Sequence, residues 1–233
     1  MKMGDAVVSL TINGTRVAVQ PGATVLDAVN RLGLPLPQLC KDPDRPALGA
    51  CRTCLVKVEG MHGFPASCHL PAREGMVVST NDPVLTRIRN GVLDLTCGMA
   101  TPSLNRPGFG QLSDACSRLG LFQRRHMPWR HTPVDDTKSF FVLDRDACIL
   151  CGRCAVACND VQQIGAIALL GRGDSTTVGV FGDGSLASSV CTSCGQCVAT
   201  CPTGAIRPKE APAPVMREVE TTCPYCGVGC GIT

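Results

Sequence analysis

The sequence predicts an α+β fold: a small β-rich unit near the N-terminus, followed by a module of two similar loop–helix–strand units. Three observations predict it. Residues 7–12 alternate weakly, Asn13-Gly14 is a strong hairpin signal, and residues 15–19 return as the partner strand. Seventeen of the 233 residues are cysteine, and they cluster. Two of the clusters share one spacing, at Cys148, Cys151, Cys154 and Cys158 and again at Cys191, Cys194, Cys197 and Cys201. Each is followed by Gly-Ala-Ile, at Gly165 and Gly204, which marks a duplicated unit.

In the first unit, Pro21-Gly22 ends the hairpin. Thr24 is an N-cap for a helix that sets Val25, Ala28, Val29 and Leu32 on one face and stops at Gly33. Residues 55–58 and 76–79 read as further strands. Between these elements lie Cys40, Cys51, Cys54 and Cys68. Four cysteines so spaced suit a [2Fe–2S] centre at the edge of a β-grasp-like domain, with Gly49 and Ala50 letting backbone amides approach the sulfides. A four-cysteine zinc site is the plainer alternative. His62 and His69 read as ordinary surface residues.

Asp82-Pro83 supplies an N-cap and a proline at N1. Val84, Ile88, Val92 and Leu95 then fall at helical spacing, which predicts a packing helix over 83–96. Beyond it stand Cys97 and Cys116, separated by a Pro/Gly-rich loop. Two thiols cannot hold a cubane unaided. They read as buried small hydrophobes or spare thiols, the alternative being a metal site completed by His126 and His131.

The two runs at 148–158 and 191–201 follow the C-x2-C-x2-C-x3-C pattern, the second closed by Pro202, and this spacing wraps a cubane iron–sulfur cluster. Three thiols within seven residues reach three irons only if the backbone curls tightly, and Gly152 and Gly195 permit the curl. In two-cluster ferredoxins the fourth cysteine of each run serves the other cluster. The expected sets are therefore Cys148, Cys151, Cys154 and Cys201 for the first cubane, and Cys191, Cys194, Cys197 and Cys158 for the second. Asn159 stands where the second run has Pro202. Residues 140–143 read as an entering strand, and 170–189 as a Gly/Ser-rich insertion of turns. Residues 208–214 carry three prolines and read as an extended linker. It leads to Cys223, Cys226 and Cys230 in a C-x2-C-x3-C pattern.

Composition narrows the class. Clustered cysteines in a chain this long point to metal rather than to a disulfide scaffold, and to a reducing cytoplasm. No apolar run approaches the ~20 residues of a membrane span, and no signal peptide is recognisable. Aromatic residues make up only 3%, so clusters are expected to staple a small core. A net charge of +3 is too slight to argue for nucleic acid or membrane binding.

The spacing of Cys40, Cys51, Cys54 and Cys68 resembles the N-terminal domain shared by the large iron–sulfur subunit of complex I, NAD-reducing hydrogenases and NAD-dependent formate dehydrogenases. The run from Cys223 to Cys230, with its Pro-Tyr and Gly-Val-Gly filling, looks like the opening of the molybdenum or tungsten bis-pterin oxidoreductases. In order, the chain resembles the N-terminal region of the catalytic subunit of cytoplasmic NAD-dependent formate dehydrogenase across residues 6–233.

The resemblance implies four segments: a β-grasp [2Fe–2S] ferredoxin-like domain over 1–81, and a helical and loop segment over 82–137 where the family's site of one histidine and three cysteines is degenerate. A two-[4Fe–4S] bacterial-ferredoxin-type module over 138–208 and the start of a pterin-enzyme [4Fe–4S] domain over 209–233 complete the order. It implies electron transfer between a Mo/W-pterin domain and a flavin/NAD-binding iron–sulfur subunit, with no complete catalytic site in this segment. A third [4Fe–4S] cluster, begun at Cys223, Cys226 and Cys230, would need a cysteine beyond Thr233. A longer polypeptide is the expectation, a vestigial motif the alternative. The rival readings are the diaphorase iron–sulfur subunit of a soluble NAD-linked hydrogenase and, from another class, a zinc-binding scaffold protein.

Overall fold

The computed structural model describes residues 7–100, 110–120, 132–182, 184–209, 218–223 and 227–232. Strands β1 (Val8–Ile12) and β2 (Thr15–Val19) form the expected hairpin, with Leu10 opposite Val17. Its turn works because Asn13 and Gly14 both take positive φ, 49° and 82°, which matches the right-handed twist of the strands. The alternation puts Leu10, Ile12, Val17 and Val19 inside. Helix α1 (Val25–Arg31) covers that face with Val25, Leu26, Ala28 and Val29. Thr24 and Asp27 form a reciprocal capping box: the Asp27 amide donates to Thr24 Oγ1 at 3.2 Å and the Thr24 amide to Asp27 Oδ2 at 2.7 Å.

Strands β3 (Lys57–Val58) and β4 (Val77–Ser79) complete a mixed sheet in the order β2-β1-β4-β3, with β4 parallel to β1. The expected strand over 55–58 is shorter in the ladder. Leu55 instead bridges Ala66, because the chain there must turn Cys54 toward Cys68.

Helix α2 (Pro83–Met99) starts on Asp82, whose carboxylate accepts from the Val84 and Leu85 amides. Its packing face is not the one expected. Val84, Ile88 and Leu95 are 52%, 38% and 56% exposed, whereas Leu85, Arg89, Leu93, Thr96 and Cys97 are buried. The face is rotated by one residue because the chain buries an arginine there, and hydrophobic periodicity scores an arginine as outward-facing. Helix α3 (Gln111–Arg118) forms directly after the stretch whose Pro/Gly content predicts a loop. Its signal was present: Leu112, Ala115, Cys116 and Leu119 fall at helical spacing, and all pack inward.

The second module begins with β5 (Phe141–Leu143), which pairs antiparallel with β8 (Ile206–Pro208). Between them come α4 (Arg153–Val156), β6 (Ala168–Leu170), β7 (Thr177–Gly179) and α5 (Gln196–Thr200). The segment read as an insertion of turns contributes more than turns. β6 and β7 form a hairpin, and Val178, Val180 and Leu186 enter the core with Phe141, Leu143, Ile167 and Ile206. The three-proline linker falls mostly outside the described residues. Strands β9 (Thr221–Thr222) and β10 (Gly231–Ile232) pair at the end of the chain. No described helix is long and apolar enough to cross a membrane.

The rotated face of α2 gives a direct test. Leu85→Ala is expected to lower unfolding free energy by about 2–5 kcal/mol, and Val84→Ala to stay within about 0.5 kcal/mol of wild type, both read by denaturant unfolding. Equal losses at the two positions would contradict this packing.

Candidate iron–sulfur sites

Each cysteine run of the second module begins with the same backbone device. Leu150 and Ser193, the residues before the second cysteine of each run, take positive φ at 53° and 60°, and Gly152 and Gly195, just after it, take 79° each. A Cβ at Gly152 would also press on Leu48 Cδ1 at 3.2 Å. The curl turns amides inward: the Leu150 N–H donates to Cys148 Sγ at 3.3 Å.

The runs then diverge. Pro202 follows Cys201 and α5 ends at Thr200, as a residue with no N–H requires. In the first run Asn159 replaces the proline, and the helix continues as a π turn over Ala157–Val161. Asn159 Nδ2 ties it down by donating to Ile167 O at 3.0 Å. The wider turn carries Cys158 toward the far loop.

The result is two thiol-lined cavities. Cys148, Cys151, Cys154 and Cys201 line one, with Leu143, Val178 and Ile206 among its apolar walls. Cys158, Cys191, Cys194 and Cys197 line the other, beside Phe141, Ile164 and Ile167. Each cavity takes three thiols from one run and one from the other. Four soft thiols around an apolar hollow are the donor set an iron–sulfur cubane requires. Burial pushes the thiols up, Cys148 to about 12, Cys151 to about 11 and Cys197 to about 12, with Cys154 also well above its ordinary value. These groups ionise at neutral pH when a metal takes the proton's place.

In the first unit the sulfurs meet in pairs. The Cys40 thiol hydrogen-bonds Cys51, which drops Cys51 to about 5 and raises Cys40. The Cys68 thiol does the same for Cys54, which drops to about 6 while Cys68 rises. Ser67 fixes the loop by donating its amide and hydroxyl to Cys54 O at 3.0 and 2.8 Å. Gly49 suits this turn because its φ is +68°, a conformation strained for any other residue. Cys68 also feels the charges of Cys40 and Cys51, so the four thiols lie near one another.

Cys97 and Cys116 are both buried, in an apolar cluster with Leu39, Cys40, Leu93, Ile149 and Cys151. His126 and His131 lie outside the described residues. At the C-terminal end the β9–β10 hairpin sets the Cys223 amide on Cys230 O at 2.8 Å, and Cys226 lies outside the described residues.

The two units touch through this apolar cluster, and Cys51 is close enough to Cys151 to act on its charge. Beside it runs a polar knot that sequence reading missed. Buried Arg153 donates to Thr200 Oγ1 at 3.0 Å and Gln111 Oε1 at 2.8 Å, and pairs with Asp42 at 3.5 Å. Burial alone would raise the Asp42 carboxyl, but the Thr200 hydroxyl, the Asp44 amide and the guanidinium groups of Arg45 and Arg153 outweigh it and hold it low. The knot's members sit next to candidate ligands: Arg153 before Cys154, Thr200 before Cys201, Asp42 two residues after Cys40.

These sites define an iron–sulfur protein with a binuclear and a dicluster unit in tandem. Residues 5–83 match the family model for a 2Fe-2S iron-sulfur cluster binding domain, and residues 147–205 that for a 4Fe-4S dicluster domain. The chain is related to the N-terminal iron–sulfur regions of the 78 kDa subunit of complex I and of NAD(P)-reducing hydrogenase subunits. It is 35% identical over 237 residues to an NADH-quinone oxidoreductase subunit of Rhizobium meliloti (strain 1021), covering 97% of this chain and 27% of that protein. It is 34% identical over 223 residues to NADP-reducing hydrogenase subunit HndD of Solidesulfovibrio fructosivorans, covering 86% and 36%. The chain thus spans about a third or less of these curated relatives. A chain of the NAD+-reducing [NiFe]-hydrogenase crystallised in the H2-reduced state superposes with a TM-score of 0.80 at 27% identity, covering 88% of this chain and 89% of that one.

The thiol environments predict an order of reaction in metal-free protein. At pH 7 iodoacetamide is expected to label half-buried Cys51 well before Cys148. A Cys51 group with a pKa of about 5 is thiolate above that pH and loses reactivity as the pH falls through it, whereas Cys148, at about 12, stays protonated. Peptide mass spectrometry reads the order, and equal labelling would contradict it.

Proposed function

We propose that this chain is the electron-transfer iron–sulfur region of an NAD-linked oxidoreductase. In this reading the first unit is a β-grasp domain over 1–81 holding one [2Fe–2S] cluster on Cys40, Cys51, Cys54 and Cys68. The segment 82–137 is a helical connection. The module over 138–208 holds two [4Fe–4S] clusters, one on Cys148, Cys151, Cys154 and Cys201, the other on Cys191, Cys194, Cys197 and Cys158. The observation that carries the reading is the exchange of the fourth thiol between the two cavities, with Cys51 packed on the apolar cluster that includes Cys151 of the first. When bound, the clusters supply single-electron chemistry. The chain's own residues gather the thiols, line the two cavities with apolar side chains and fix the separation of the sites. The zinc alternative is disfavoured because residues 5–83 and 147–205 match family models for 2Fe-2S and 4Fe-4S cluster binding.

The parent activity we propose is formate oxidation at a molybdenum or tungsten pterin centre in a domain outside these residues, with a flavin/NAD-binding iron–sulfur subunit as the electron partner, in the cytoplasm. The spacing of Cys223, Cys226 and Cys230 supports it, as does the hairpin that joins the first and last of them. Residues 209–233 would then open a further [4Fe–4S] domain. A second reading, the diaphorase iron–sulfur subunit of a soluble hydrogenase, is favoured by the match along nearly the whole chain from the [NiFe]-hydrogenase. Assay of the intact complex from its source separates them: formate-dependent NAD reduction with molybdenum or tungsten present supports the first, and hydrogen-dependent reduction the second.

Reconstitution of the 233-residue chain with iron and sulfide tests the cluster assignment. Mössbauer spectra are expected to show one [2Fe–2S] and two [4Fe–4S] centres. Cys54→Ala should remove the binuclear signal alone. Cys201→Ala should disturb the cubane of the first run, and Cys158→Ala that of the second. If each of these last two changes disturbed the cubane of its own run, the crossed assignment would be wrong. Stoichiometric zinc without acid-labile sulfide would overturn the whole reading.

A further inference from the structure

Arg89 is an arginine that the fold has no ordinary reason to bury. It is 4% exposed, in the middle of α2, on the face packed against the first unit. Its Nη2 donates to two backbone carbonyls, Leu55 O at 2.8 Å and Thr80 O at 3.0 Å, while its buried Nε has no hydrogen-bond partner. No described carboxylate pairs with it. A buried guanidinium held only by neutral carbonyls is a costly arrangement, since burial strips its hydration without returning a counter-charge. Desolvation accordingly lowers its pKa, and the one charge acting in the opposite sense is the Cys54 sulfur. Leu55, which Arg89 grips, is the residue next to Cys54.

We propose that Arg89 is the counter-charge of the [2Fe–2S] centre. On this assignment the anion that Arg89 lacks is supplied when thiolates, Cys54 among them, take up the cluster. One-electron reduction then adds one negative charge beside a fixed cation in a region of low dielectric, so Arg89 favours the reduced form and raises the midpoint potential. The inference rests on the first unit holding a [2Fe–2S] cluster and goes beyond it by naming a residue, outside the ligand loop, that tunes it. It also accounts for the rotated face of α2: the helix turns Arg89 inward at the expense of Val84 and Ile88.

The test is the reconstituted full-length chain, titrated with dithionite as electron donor and followed by EPR of the binuclear signal, in Arg89→Gln and Arg89→Lys. Gln keeps a donor for the carbonyls without the charge, and Lys keeps the charge without the fork. The expected result is a [2Fe–2S] midpoint in the Gln variant lower than in the Lys variant by about tenfold in the oxidised-to-reduced equilibrium, equivalent to about 59 mV for one electron. The cubane potentials should be unchanged in both. Equal [2Fe–2S] midpoints in the two variants would overturn the assignment. If Gln abolishes the binuclear signal and Lys retains it, the charge is required and the assignment stands; if both abolish it, the side chain is structural and the assignment falls. A wild-type chain with no binuclear signal would instead refute the cluster assignment of the first unit.

Discussion

The constraint on which the second module depends is the exchange of one thiol between two loops. Each cavity draws three sulfurs from a tight local curl and the fourth from a curl some forty residues away, Cys201 for the first and Cys158 for the second. Neither half can complete its own set, so the two halves must fold against each other. The helices, hairpins and apolar walls of the module serve that convergence. The small core of Phe141, Leu143, Ile167, Val178 and Ile206 is what remains once the hollows are lined, and the binding energy of the clusters proposed for the hollows would be folding energy for a module with few large side chains.

A second constraint sits where the two units meet. The contact combines an apolar cluster around Leu39, Cys40, Ile149 and Cys151 with the knot of Arg153, Asp42, Thr200 and Gln111. A buried ion pair is weak evidence for stability, because desolvation consumes most of the Coulomb gain. Its directional hydrogen bonds nevertheless specify one arrangement, and here they tie together residues near candidate ligands of both units. Geometry at the knot is therefore geometry between the sites. Leu48 seated over Gly152 adds a steric stop at the same contact, which an added Cβ would crowd.

How much was legible in the chain follows from how local each signal is. The hairpin at Asn13-Gly14, the Thr24 cap and the Asp82-Pro83 start of α2 are written in adjacent residues, and all three are where the sequence puts them. α3 was legible but masked by the Pro/Gly-rich stretch preceding it. The inward face of α2 was not legible, because apolar periodicity treats Arg89 as solvent-facing, and only the neighbouring carbonyls of Leu55 and Thr80 reveal why it is inside. The β6–β7 hairpin was hidden by its glycines and serines, although Val178, Val180 and Leu186 carry much of the core.

By itself the sequence determined the chemistry: the count and spacing of the cysteines, the curls that let three sulfurs face one point, and the order of binuclear and dicluster units. Those depend on neighbours within a few residues, where backbone sterics and side-chain type suffice. Tertiary structure alone decided that β4 runs parallel to β1, that Cys51 packs on the apolar cluster around Cys151, and that Arg153 and Arg89 are buried near the two sets of thiols. Each of these depends on surfaces far apart in the chain closing on one another, and no local pattern encodes the partner a buried charge will find.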